Sequence, residues 1–371
     1  MTIKITMAIL FCFATQYLIS ATPITIWPLE IKFNYEPGNN NDALKILDGN
    51  HMEGMHYKDV PVPEWKYNDG NTISEKFAYI KAQPKCSIQV RFDSNCPDNM
   101  HLIIKLTATV DGIGSVCNYF ISNYTKLNFV ELILQPTIPN SVGKRSFTWH
   151  WEIYAMPTNV GMYCASTSYM DTSHEYYTLF SNPVEPNITP LTTILDYACD
   201  WASGKSDQNS ICNDILNRGF NLHYTWERNC HELSSDFVHL VTSLGITASQ
   251  HRWAAPAQNL GDMEWQITRQ IDPVGSMPQA EYRFWFHQWA EAASAQRDPS
   301  TNTSFAGSWG NYEDYLYTYY DYVTSIYPPA TARIQNQPGQ PKESCEDYDI
   351  TVRHAEYAND YIIQTWRGPD R

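Results

Sequence analysis

Beyond its first 21 residues the chain has no hydrophobic run long enough to cross a bilayer, since a spanning helix needs roughly 20 consecutive apolar residues. Two metal signatures are also missing, the His-Glu-x-x-His pair on a helix and the paired Cys-x-x-Cys of zinc sites, so no metal and no cofactor is expected. No loop has the regular oxygen spacing of a calcium site. There is no basic stripe. The 25 lysines and arginines are scattered against 40 acidic residues, giving a net charge of -15. Such a surface repels phosphate, so nucleic acid is not an expected partner. No repeat with a period of 20 to 50 residues emerges either.

What is present suits a globular chain in two domains. At 371 residues with 43% apolar and 14% aromatic side chains, it can bury two cores. Residues 1–21 read as a signal peptide: Lys4, an apolar run from Ile5 to Ala21 ending in small residues, then Thr22-Pro23. The mature protein is then expected to be secreted, with no membrane association once the signal is removed. Of nine cysteines, Cys12 lies in that signal. In an oxidising compartment the others are expected to pair. The short intervals Cys86 to Cys96 and Cys199 to Cys212 suggest local bridges, and Cys117 with Cys164 could tie two strands. Cys230 and Cys345 are left over, and a bridge between them stays open. Sequons at Asn123, Asn187 and Asn302 mark glycan acceptors if the host glycosylates exported proteins.

Residues 22–75 are rich in Pro, Asn, Gly and Asp, without a sustained period, and read as an irregular lead-in. Over residues 76–182 the pattern becomes short alternating or β-branched runs such as "CSIQVRF", "LIIKLTATV" and "SFTWHWEIYAM", as in an all-β, sandwich-like domain. Three prolines in "SNPVEPNITP" (Ser181 to Pro190) then suggest a linker. Helical periods follow. Ile194, Leu195, Ala198, Trp201 and Ala202 share one face, and Ile211, Ile215, Leu216 and Phe220 suggest a second short helix. In "CHELSSDFVHLVTSLGI" an apolar stripe runs through Leu233, Phe237, Leu240, Val241 and Leu244. Gly245 suits the left-handed position that ends a helix, so Cys230 stands at the start of a buried one. Further on, "SQHRWA", "AEYRFWFHQWAEA", "YDITVRH" and "DYIIQTW" read as strands.

Cys230 is a candidate nucleophile, because a helix start favours thiolate over thiol. His287, between Trp285 and Trp289 on one strand face, is a candidate base that can also protonate a departing amine. Asp298 follows in "RDPS", where a turn near Ala293 to Gln296 would bring its carboxylate beside the imidazole and fix its tautomer. Asp314 is a rival for the acid role. The backbone N–H of Cys230 is one oxyanion donor candidate, and the indole of Trp226 or Trp201 is the other.

The blocks "NCHELSSDFVHLVTSLGI", "FHQWAEA" and "RDPS", in this order, resemble the core of the transglutaminase-like superfamily over roughly Ile194 to Ser300. The resemblance implies Cys230 as nucleophile, His287 as base and Asp298 as orienting acid. It also implies an α+β, papain-like core over residues 190–371, with the cysteine helix packed on an antiparallel sheet. The activity implied is acyl transfer on amides of a protein or peptide substrate, by a peptidase, amidase or cross-linking transglutaminase. The rival reading is an inactive secreted protein of the same fold, binding saccharide or peptide through its aromatic surface.

Overall fold

The computed structural model describes residues 22–36, 38–53, 56–60, 64–68, 70–98, 100–110, 114–125, 128–135, 137–158, 163–223, 230–254, 259–260, 263–264, 267–273, 286–300, 302–308, 320–326, 334–336 and 346–350. The expected signal peptide, Trp226, Asp314 and the strand "DYIIQTW" lie outside them. Contacts divide the chain into two compact units. The first comprises Met1–Ile46, Lys58–Asn140 and Lys144–Thr178, and the second Leu47–Tyr57, Ser141–Gly143 and Leu179–Arg371.

The described chain begins with β1 (Thr22–Pro23), β2 (Ile26–Lys32), β3 (Leu47–Glu53), β4 (His56–Asp59), β5 (Trp65–Asn68), β6 (Asn71–Ser74) and β7 (Phe77–Ile80). Next come β8 (Ser87–Ser94), β9 (His101–Val110), β10 (Gly114–Thr125), β11 (Phe129–Ile133), β12 (Gly143–Pro157), β13 (Tyr163–Cys164) and β14 (Ser166–Leu179). In the first unit ten of them form two five-stranded sheets, ordered β10-β9-β12-β14-β7 and β11-β8-β2-β5-β6, while β1 pairs with β13 and β3 with β4. Their inner faces share one apolar core: Phe92 of β8 meets Trp151 of β12 edge-on with ring centres 6.5 Å apart, and Trp65 of β5 lies 6.2 Å from His174 of β14. Burying large rings from both sheets supplies the main driving force.

The irregular lead-in expected over residues 22–75 is not what folds: β2, β5 and β6 from this stretch make three of the five strands of the second sheet. The period of two is masked in β2 because its pairing with β8 shifts between Pro28 and Glu30, a bulge that breaks the alternation of buried residues. Glu64, just before β5, is buried, and its carboxylate accepts the backbone N–H groups of Phe33 and Asn34 at 2.8 and 2.9 Å. Burial disfavours the charged form and pushes its pKa up to about 7. A group held more tightly protonated in the folded than in the unfolded state stabilises at low pH and loses that contribution as pH rises through the folded value. The stability of the first unit is therefore expected to fall between about pH 4.5 and 7, and Glu64→Gln to flatten that slope in urea titrations run across this range.

The second unit holds α1 (Thr192–Trp201), α2 (Gln208–His223) and α3 (Cys230–Ser243), then β15 (Ala248–Ala254), β16 (Asn259–Leu260), β17 (Met263–Glu264) and β18 (Ile267–Pro273). It continues through β19 (Phe286–Ala292), β20 (Ala295–Asp298), β21 (Thr303–Ala306), β22 (Tyr320–Ile326), β23 (Ile334–Asn336) and β24 (Glu346–Ile350). These strands form a five-stranded sheet ordered β21-β20-β19-β15-β24, a three-stranded one, β18-β22-β23, and the pair β16-β17. The α+β, papain-like transglutaminase core expected here is thereby corrected. The chain is mostly β, half strand and 16% helix, with three helices among the described residues and several separate sheets. The helix periods, strong as they are, cover only α1 to α3, whereas ten strands follow them among the described residues.

Two of the expected cysteine bridges are absent as well. Cys86 and Cys212 are buried thiols, so neither pairs with Cys96 or Cys199, and burial pushes both pKa values up to about 12. The side chain of Cys117 lies outside the described residues. The proline-rich stretch expected as a linker is bonded within the second unit: the Ser181 and Val184 N–H groups donate to the carbonyls of Leu244 and Thr242, at 3.1 Å each.

Candidate active site

α3 begins at Cys230 and packs against β19 and β15, with α1 and α2 alongside. Its stripe of Leu233, Phe237, Leu240, Val241 and Leu244 is buried. At its end Gly245 has a φ of +85°, its N–H donates to Thr242 O at 2.9 Å, and Ile246 N reaches back to Val241 O at 3.0 Å. This closes the last turn as a left-handed cap. The polar side of α3 is buried too. Ser235 Oγ accepts from Gln250 Nε2 of β15 at 2.7 Å. Asn187 Nδ2 donates to His239 Nδ1 at 2.9 Å, to His239 O at 3.1 Å and to Thr242 Oγ1 at 2.9 Å. With burial holding His239 far below its ordinary pKa, at about 3, the ring is neutral and accepts that amide proton. Asn187 was a glycan candidate by its sequon. Fully buried and bonded to α3, it has no room for a glycan in the folded chain.

β19 carries His287, paired in register with Trp253 of β15. The side chains of Cys230 and His287 lie outside the described residues, so the structure gives their backbone positions alone. Two residues along the strand, Trp289 is wholly buried, donates Nε1–H to Gln296 Oε1 at 2.8 Å and lies 6.1 Å from the His251 ring. His251 in turn bonds Glu291 at 3.1 Å. These contacts occupy the Trp and Glu of the His-x-Trp-x-Glu segment and lock β19 to its neighbours on both sides.

A two-residue turn through Ala293 and Ser294, with φ of +52° and +58°, joins β19 to β20. That left-handed pair matches the twist of a tight hairpin, at some cost for side chains bearing a Cβ. Ala290 pairs with Arg297, so continuing the ladder one step sets Asp298 opposite Trp289, two positions from His287. Asp298 is fully buried, and its Oδ1 accepts from Ser300 N at 3.0 Å and Ser300 Oγ at 2.6 Å. The Asp-Pro-Ser turn thus holds the carboxylate in a fixed pose. Beside it Arg297 is buried without a carboxylate partner among its bonds. One terminal nitrogen donates to Asn213 and Ser304, and the other to Asn209 Oδ1 at 2.9 Å, tying β20 to α2 and β21. No sequence feature marked this residue, since a single arginine in a strand is ordinarily exposed.

α3, which begins at Cys230, thus lies on β19, the strand of His287, and β20 with Asp298 adjoins β19 in the same sheet. Trp201 is a buried residue at the end of α1 whose ring packs on Tyr197 at 5.8 Å. No group of three or more His, Cys, Asp or Glu with metal-holding geometry occurs among the described residues. Among them, no helix is long and apolar enough to cross a membrane. No protein-family model matches the chain, and no curated protein matches it.

Proposed function

We propose that the protein is a secreted, cysteine-dependent enzyme that transfers acyl groups from amides of a protein or peptide substrate. The observation that supports this most is the placement of Cys230 at the start of the helix lying on β19, the strand of His287, with the buried and turn-locked Asp298 on the adjoining β20. The motif order resembles the transglutaminase-like superfamily, and that resemblance rests on these residues rather than on the fold class. In the first half-reaction the Cys230 sulfur attacks the amide carbon, and the C–N bond breaks as the amine leaves with a proton from His287. Water or a second amine then attacks the thioester carbon and gives its proton to the imidazole, the C–S bond breaks, and the acyl group leaves on the acceptor as the Cys230 thiolate is regenerated. Asp298 orients the ring. The backbone N–H of Cys230, at a helix start where such groups have no intrahelical partner, is a donor for the oxyanion, with Trp201 or Trp226 as the second.

Incubating the protein with a glutamine peptide and a primary amine, with mass detection, tests the reading. Deamidated peptide or an amine adduct is expected, the first meaning hydrolysis and the second transfer. Absence of both, together with a Cys230 that does not react with iodoacetamide in the folded protein, would sink it. Asp298→Asn keeps an oxygen for Ser300 but loses the charge facing an imidazolium. It is expected to lower turnover by about 10² to 10⁴-fold with an unchanged circular dichroism spectrum.

A further inference from the structure

The segment from Ser181 to Pro190 lies along the C-terminal half of α3 as a strap within the second unit. Ser181 N and Val184 N tie its start to Leu244 O and Thr242 O. Its next tie is the fully buried Asn187 side chain, whose Nδ2 protons go to His239 Nδ1 and Thr242 Oγ1 at 2.9 Å each and to His239 O at 3.1 Å. Each of these partners can only accept. The Thr242 hydroxyl gives its own proton to Val238 O at 2.7 Å, and the His239 carbonyl, which has none to give, also takes one from Ser243 Oγ at 2.7 Å. Asn187 Oδ1 is buried with no hydrogen-bond partner. The amide is therefore held in one sense, and that sense requires His239 Nδ1 to carry no proton.

A proton on Nδ1 sets N–H against N–H. Turning the amide to offer Oδ1 to the imidazolium sets that oxygen against the His239 carbonyl and the Thr242 oxygen instead, and gives up both of their bonds. Neither arrangement keeps the strap in place, because a buried donor or acceptor left without a partner costs more than the bond itself is worth. No neighbouring charge offsets this. Among the described residues, neither Asp236 a turn earlier on α3, nor Glu185 on the strap, nor Asp196 of α1, Cys212 of α2 or the His251–Glu291 pair of the sheet bonds the ring, and burial alone holds its pKa down at about 3. Once the strap opens, the imidazole regains its ordinary value of 6.5. A histidine whose folded pKa is lowered stabilises above its unfolded value and loses that contribution as pH falls toward the folded one. The closed strap therefore weakens from about pH 6.5 downward, by about tenfold per pH unit, until about pH 3.

We propose that Asn187 and His239 form an acid-sensitive latch, which on protonation frees the Ser181–Pro190 strap from α3 while the helix itself stays folded. The latch stands independently of the catalytic reading. Amide hydrogen exchange on the full chain across this pH range, corrected for the intrinsic pH dependence of exchange, tests it. The Ser181 and Val184 amides are expected to lose about hundredfold in protection between about pH 6.5 and 4.5, while those of Leu240 and Val241 inside α3 keep theirs. In His239→Asn the Oδ1 takes the place of Nδ1 as an acceptor that does not titrate, so the strap amides should show no such slope. If that variant folds poorly, the imidazole of the parent decides by its nitrogen chemical shifts: Nδ1 should stay unprotonated for as long as the strap amides stay protected. Strap protection that ignores pH in the parent, the same slope in His239→Asn, an equal loss inside α3, or a ring that gains its proton near pH 6.5 under a protected strap would each overturn the proposal.

Discussion

Cys230→Ala is expected to abolish acyl transfer, with a rate loss of at least about 10³-fold, because no other group in the proposed site can form the thioester. Cys164 is exposed, so labelling is read at the Cys230 peptide; two buried cysteines do not compete for the reagent on equal terms. Cys86 and Cys212 are buried with pKa values pushed up to about 12, so almost none of either is thiolate at neutral pH. A thiol at a helix start is favoured in the opposite direction. His287→Gln should cost about as much in turnover as Cys230→Ala, and the double variant little more than either, since groups that act as one unit are not additive. Equal rates for Cys230→Ala and the parent, or a Cys230 peptide that stays unlabelled in the folded parent, would remove Cys230 from the mechanism.

The largest expected loss of stability lies at the other end of the same helix. Gly245→Ala puts a methyl group 2.5 Å from each of two backbone oxygens, Ser181 O and Asn182 O, at a φ of +85° that alanine disfavours. Neither oxygen can retreat easily. The Ser181 N–H is bonded to Leu244 O at 3.1 Å and the Ser181 hydroxyl donates to Gly245 O at 2.6 Å, so the two segments are already clasped. A cost of about 3 kcal/mol is expected from the sum of strain and overlap, equivalent to a fall of roughly 6–12 °C in the melting temperature of a unit of this size. Gly245→Asn separates the two causes. Asparagine tolerates positive φ, so if strain dominated it would recover most of the loss, whereas the overlap predicts a defect as large as that of alanine. Thermal unfolding of the three proteins decides between them.

α3 was legible because its signals are local: an apolar stripe with helical spacing and a glycine where the last turn must reverse. The hairpin carrying Asp298 was legible for the same reason, with ten residues between His287 and Asp298 leaving room for one tight turn. The strands of residues 22–75 were not, because a bulge at Pro28 breaks the alternation and the residues that cover them come from far along the chain. Fold class was misjudged in the second unit because three strong helix periods outweighed many short strands whose partners no local pattern reveals.

The chain alone determined which residue types could do chemistry, their order, and the local elements that carry Cys230, His287 and Asp298, since propensity, period and turn chemistry act over a few residues. Tertiary structure alone decided that both faces of α3 are covered, that the Asn187 sequon is closed against His239, that Arg297 is buried between α2 and β21, and that Cys86 and Cys212 stay thiols. Each of those depends on which distant segment comes to lie alongside, and that is settled by burying surface between elements many residues apart.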